Sequence, residues 1–294
     1  MGNLKEIRSR IGSVKNTRKI TSAMSRIASA RMVKAQHAAT AARPYGTRMA
    51  EVVRALTSVS GEDAVHPLMA PRAEIRGVVV VLVTADRGLC GGFNANANKA
   101  ALAVLKREKA AGRDVHLITV GKKGASYLSL LGYKPLYTHE GLSHDSLIAT
   151  SKAVAAEATG LFLPGEGAPK ADAVYLVFNF FKNVLVQEPR TEQLLPFQAP
   201  EVDPDAPPLA PVFEPGRAAV LEHLLPVALE SILQQAMLNS LAAELAARRT
   251  AMDAATDNAS QLISELTLRY NRERQAAITK ELMEIIGGAE ALKG

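Results

Sequence analysis

The sequence predicts an α/β domain enclosed by two long helices, one at each end of the chain, that pair antiparallel as a coiled coil. Three observations carry this fold class. Val227–Ile286 contains neither Gly nor Pro, and at about 1.5 Å per residue such a run makes a helix on the order of 90 Å long, too long to bury in an ordinary domain. Asn3–Arg43 is interrupted only by Gly12 and stops at Pro44. Between them, Gly77-Val-Val-Val-Val-Leu-Val-Thr84 is a continuous apolar run, the signature of a strand buried on both faces.

The N-terminal helical segment is assigned to residues 1–60. Leu4, Ile7, Ile11 and Val14 begin a seam in alternating steps of three and four. The seam meets Arg18, Thr21 and Ser25, then returns through Ala28, Met32, Ala35, Ala39 and Ala42. Either these polar residues snorkel at the edge of an ordinary seam, or they are there to meet something outside it.

The α/β domain is assigned to residues 74–196. After the strand at 77–84 come a Gly-rich turn, a helix near 94–110, a strand at 116–120 and helices near 125–131 and 146–160. Strands at 173–181 and 184–188 flank Lys182-Asn183, which reads as a tight hairpin turn. The result is a small sheet with helices on both sides and one added antiparallel strand. Residues 197–216 are Pro-rich and acidic and read as a linker. The C-terminal helical segment is assigned to 217–294. Its seam is Leu238, Leu241, Leu245, Met252, Ala255, Ala259, Leu262 and Leu266, with Arg248 at the interrupted position. It fades among Arg269–Gln275, resumes as Ile278, Leu282 and Ile285, and is expected to end at Gly287-Gly288. Pro226 is expected to kink this helix or mark its start.

Composition narrows the function. Trp is absent and aromatics are 4% of the chain, which disfavours an aromatic-lined sugar or nucleic-acid site. No apolar run approaches the ~18 residues of a membrane span, and the basic N-terminus lacks the apolar core of a signal peptide. Cys90 stands alone, which excludes an intrachain disulfide or a cysteine metal cluster and suits a reducing compartment. Charge is unevenly spread: residues 1–48 hold eleven Lys or Arg against Glu6, while 222–294 hold seven basic and ten acidic side chains. The basic helix either faces an acidic partner or is a solvated face.

Motifs for chemistry are absent. Asp86-Arg-Gly-Leu-Cys-Gly-Gly-Phe-Asn94 lies between strand and helix, where phosphate-binding turns occur, but it lacks dinucleotide and P-loop spacing. It reads as a tight turn using Gly freedom. Gly121-Lys-Lys-Gly124 reads as a surface turn, and Cys90 as a packed residue. His116, His139 and His144 fit no ligand spacing, and Asp253 with Asp257 reads as a solvated face. No catalytic, cofactor-binding or metal-binding residue is assigned, and no cofactor is expected.

Three segments carry a resemblance over the whole chain, in order and at the right spacing: IRSRIGSVKNTRKITSAM at 7–24, TADRGLCGGFNAN at 84–96, and AARRTAMDAATDNA with LTLRYNRERQAAITKELMEIIGGAEAL towards the C-terminus. They resemble the gamma subunit of F-type ATP synthases. The resemblance implies a coiled coil plus Rossmann-like domain acting as central-stalk rotor. It implies a ring of three alpha and three beta subunits, an epsilon subunit and a membrane rotor ring as partners. It implies proton-driven rotation coupled to ATP synthesis, without catalytic residues in this chain. The implied location is peripheral, on the cytoplasmic side of a bacterial inner membrane. By motif match, Arg274, Gln275 and Thr279 fall where the family contacts beta. Met24 and Arg248 fall at upper-shaft positions, with Lys19 and Thr21 beside them. Arg249 departs from the Met common there, and no redox-switch insertion of the chloroplast type is present. Two other classes compete: a coiled-coil nucleic-acid binder, which predicts strongly salt-dependent binding, and an enzyme built on the α/β domain.

Overall fold

The computed structural model describes residues 2–58, 66–70, 72, 74–164, 170–197, 214 and 216–291. The Pro-rich acidic stretch 198–211 lies outside the described residues. Ten elements follow in order: α1 (Gly2–Ser58), β1 (Gly77–Val83), α2 (Phe93–Ala110), β2 (Asp114–Val120), α3 (Lys122–Leu130), β3 (Tyr137–His139), α4 (Leu147–Phe162), β4 (Ala173–Phe181), β5 (Gln187–Leu195) and α5 (Arg217–Ala291). They form two compact units, Met1–Ala28 with Arg249–Gly294 and Ser29–Arg248.

In Ser29–Arg248 the sheet has the order β3-β2-β1-β4-β5. β1 pairs in parallel with β2 and β4, β2 in parallel with β3, and β4 antiparallel with β5. All six residues Val78–Val83 are fully buried because the sheet is covered on both faces. The alternation of the strand divides them. Val78, Val80 and Leu82 pack with Ala97, Ala101 and Leu105 of α2, while Val79, Val81 and Val83 join a larger core with α4, Ala39 of α1 and Leu225, Leu229 and Leu233 of α5. On the same unit, Met32 and Ala35 of α1 pack with Ala242, Leu245 and Ala246 of α5.

Several boundaries depart from the sequence reading. α1 does not stop at Pro44 but passes through it to Ser58. Pro removes one i→i−4 hydrogen bond and costs about 3 kcal/mol in a helix interior; here its ring is exposed, and burial of Ala39 and Val53 on either side holds the helix together. α5 likewise starts nine residues ahead of Pro226 and runs on through Gly287-Gly288. Buried Leu221, Leu225, Ala228 and Leu229 offset the proline.

The two-residue hairpin at Lys182-Asn183 is wider than expected. Phe181 pairs with Gln187, and the Asn183 side-chain carbonyl accepts from the backbone N–H of Leu185 and of Val186, both at 2.9 Å. β5 therefore begins later and extends to Leu195. Its Pro189 is tolerated because β5 is an edge strand. β3 is an additional short strand. Gly121-Lys-Lys-Gly124 is not a surface turn: Lys122 opens α3, and Gly121 and Gly124 are buried. Gly121 sits at φ 101, where a Cβ would come within 2.3 Å of the Thr84 carbonyl oxygen. Thr84 Oγ1 accepts from Gly124 N–H at 2.9 Å.

Candidate functional site

Within Met1–Ala28 and Arg249–Gly294 the two helices run antiparallel: Thr21 Oγ1 lies 2.7 Å from Thr256 Oγ1, and Ser25 Oγ donates to Asp253 Oδ1 at 2.5 Å, so a step forward on α1 is a step back on α5. Thr21 and Ser25 are buried, whereas Arg18 is exposed. The hydroxyls thus stand inside the seam and bond across it, and the arginine lies outside it. Asp253 is correspondingly more than a solvated carboxylate. It accepts Ser25 and lies 3.7 Å from Arg249. Apolar burial in this unit is sparse: Ile7, Ala28, Met252, Ala259 and Leu266.

Beside the hydroxyl seam lies an open groove of about 710 Å³, lined by Arg18, Lys19, Ser22, Arg26, Thr256 and Ser260 among others. Three cations on one wall make it suited to an anionic or acidic group. Lys19 is exposed at this groove and Met24 is half-buried.

The antiparallel register carries Gly2 to about the level of Gln275. Beyond that level α5 continues without α1. Arg274, Gln275 and Thr279 are exposed there, the Thr279 hydroxyl donating back to the Gln275 carbonyl at 3.0 Å. Ile278, Leu282, Met283, Ile285 and Ile286 are each more than half exposed. The seam that resumes in the sequence at Ile278 therefore has no partner among the described residues.

Arg248 belongs to the other unit and is engaged within it. Nη1 donates to the Gly88 carbonyl at 2.6 Å, Nε donates to Glu244 Oε1 at 2.9 Å, and Nη2 donates to the same oxygen. Both side chains are largely buried. The Glu244/Arg248 spacing of four, readable as a helical pair, was the available signal for this contact; the Gly88 acceptor had none, because it is a backbone atom. The turn holding Gly88 is itself rigidly bonded. Asp86 accepts from Lys122 N–H at 3.0 Å and Gly141 N–H at 2.8 Å, and Asn94 Oδ1 accepts from Ala85 N–H at 2.9 Å.

Doubly wound sheets place ligands outside the carboxyl ends of the strands, where the strand order reverses. Here that point lies between β1 and β4. Cys90 and Phe93 pack there with Ala243 and Ala247 of α5, against Ala85 and Phe181. The crevice is filled by the chain's own helix. Burial, aided by the Glu244 carboxylate, pushes the Cys90 thiol up, which suits a packed residue and not a nucleophile. His139 pairs with Glu157 at 2.8 Å, and no group of metal-ligating side chains assembles among the described residues.

The ATP synthase family model matches residues 3–292. The ATP synthase gamma chain of Geobacter sp. (strain M21) is 44% identical, over all of this chain and all of its own. The chain belongs to the ATP synthase gamma-chain family. The gamma chain of Chlorobaculum tepidum is 43% identical over the full length of both proteins. A chain of the Euglena gracilis mitochondrial ATP synthase shares the fold with a TM-score of 0.67 at 17% identity, covering 99% of this chain and 95% of that one. A chain from the central stalk and c-ring structure of the Tetrahymena thermophila mitochondrial ATP synthase gives 0.55 at 22% identity, covering 80% of this chain and 99% of that one. No helix among the described residues is long and apolar enough to cross a membrane.

Proposed function

We propose that this chain is the central-stalk rotor of an F-type ATP synthase, turning inside a ring of three alpha and three beta subunits. It couples proton-driven rotation of a membrane ring to ATP synthesis at the alpha/beta sites. The observation that carries this reading is the tip of α5: a run of exposed Ile278, Leu282, Met283, Ile285 and Ile286 that no other described part of the chain covers. Each such side chain is worth about 1.5–3 kcal/mol when fully buried, so the tip favours a collar of partner surface around it. An epsilon subunit and the membrane rotor ring are the further partners. The chain contributes no catalytic residue, and it sits peripherally on the cytoplasmic side of a bacterial inner membrane.

Arg274, Gln275, Thr279, Lys19 and Met24 are the proposed contacts with beta; Thr21, expected beside them, is buried in the seam against Thr256 and supports them from within. Exposed charged contacts are worth about 0–1 kcal/mol each, weak enough to be broken and remade at every step of a turn. Arg248 was expected among them. Its three hydrogen bonds inside the chain favour a supporting role instead.

Co-expression with alpha and beta subunits tests the proposal. An ATPase complex containing the chain is expected, and an Arg274→Ala, Gln275→Ala variant is expected to turn over more slowly or assemble poorly. Failure of any ATPase complex to incorporate the chain overturns the rotor reading.

A further inference from the structure

The turn between β1 and α2 holds a conformation that its own residues disfavour. Leu89 lies at φ 63, the left-handed region that L side chains rarely adopt. It gains little from packing, since its side chain is 64% exposed. Such backbone persists only where surrounding structure over-determines it. Asp86 and Asn94 secure the two ends of the turn through backbone N–H groups of Lys122, Gly141 and Ala85. In the middle, the Arg87 carbonyl accepts from Asn94 Nδ2 at 3.4 Å and from the Cys90 thiol at 3.7 Å, both within the turn, and the next carbonyl is held from a distant part of the sequence. Arg248 donates to the Gly88 carbonyl, the residue immediately before Leu89, and Glu244 fixes the guanidinium from one turn earlier on α5.

We propose that Arg248 is a positioning residue, a latch that fastens the strained turn of the α/β domain to the Glu244–Arg248 turn of helix α5, within the unit Ser29–Arg248. Charge-assisted donation to a carbonyl in a largely buried setting is among the stronger hydrogen bonds a protein makes. Beneath it, Cys90, Phe93, Ala243 and Ala247 are closed off from solvent. The consequence for torque rests on the rotor function proposed above; the latch itself does not.

Cys90 reports the latch directly, because it is the chain's single cysteine and is 1% exposed. Its alkylation by iodoacetamide requires the turn to open. On the full-length chain, Arg248→Ala is expected to speed alkylation at least roughly tenfold, the factor that about 1.4 kcal/mol of lost local stability produces. Arg248→Lys keeps the charge but loses the fork and is expected to fall between. Electrostatics alone predicts the opposite sign, since the Arg248 charge favours the reactive thiolate and its removal slows the reaction. Arg249→Ala, which removes the neighbouring cation paired with Asp253, is expected to leave the rate unchanged. In the assembled complex, Arg248→Ala is expected to reduce protons pumped per ATP hydrolysed more than it reduces hydrolysis. Unchanged alkylation in both Arg248 variants overturns the latch. Faster alkylation with an unchanged pumping ratio overturns its role in torque. Failure of the wild-type chain to assemble counts against the rotor function alone.

Discussion

In Ser29–Arg248, Val78–Val83 are fully buried and packed on both faces by helices. In Met1–Ala28 with Arg249–Gly294, the two helices meet through Thr21–Thr256 and Ser25–Asp253, and few apolar side chains are fully covered. The first unit is stabilised by what it hides. The second keeps hydroxyls in its seam, cations along its groove and an apolar tip in the open. The difference teaches where each unit's binding energy is directed: inward in the α/β unit, and outward, towards a partner, in the coiled coil.

The contrast is sharpest in β1. Leu82→Ala removes a fully buried side chain from a close-packed sheet and is expected to cost about 3 kcal/mol, read as a lower urea midpoint at unchanged slope. A loss below about 1 kcal/mol would break the comparison. Gly121→Ala, forced to place its Cβ against the Thr84 carbonyl at a φ only glycine favours, is expected to cost more than about 1 kcal/mol in the same assay. In the coiled coil, Ser25→Ala removes one cross-helix hydrogen bond but leaves Asp253 half exposed to water. About 1 kcal/mol or less is expected from thermal unfolding.

A smaller effect tests the α/β unit against pH. Burial lowers the His66 pKa, opposed by the Glu222 carboxylate, and its Nδ1 accepts from Leu68 N–H at 3.2 Å. The unfolded chain therefore binds the proton more readily than the folded one. Stability from this group is complete above the ordinary histidine value of about 6.5 and declines as pH falls below it. His66→Gln should flatten that decline between pH 7.5 and pH 5, and an identical pH profile would discount the group. The smallest effect on folding belongs to the tip. Ile285→Asp is expected to shift unfolding of the chain by no more than about 0.5 kcal/mol, because the side chain is 72% exposed. The same substitution is expected to impair assembly or ATPase turnover with alpha and beta. A large folding defect would mean the tip is packed within the chain after all.

Much of this architecture was legible in advance for identifiable reasons. β1 reads from sequence because a strand covered on both faces needs apolar residues at every position. The antiparallel helices read because their seams persist at three–four spacing over many turns. β3 was missed because Tyr137–His139 is three residues long and largely outside the core, so no pattern marks it. β5 was displaced because an edge strand accepts Pro189 and alternating charges that resemble a loop. Of the proposed contact residues, the exposed placement of Lys19, Arg274, Gln275 and Thr279 followed from their polarity. The burial of Thr21 and the inward engagement of Arg248 did not, since each depends on a partner more than a hundred residues away.

The sequence by itself determined the types and order of the elements other than β3, the absence of local motifs for catalysis, and, through three long motifs, the family. These are properties of spacing and composition, which act over a few neighbouring residues. The tertiary structure decided that both helices continue through their prolines, because packing on either side outweighs one lost hydrogen bond. It decided that the crevice of the sheet is filled by α5, that the seam is closed by hydroxyls, and that Arg248 bonds to a backbone carbonyl at Gly88. Those outcomes depend on which distant atoms meet, and no local pattern encodes a meeting with a backbone atom.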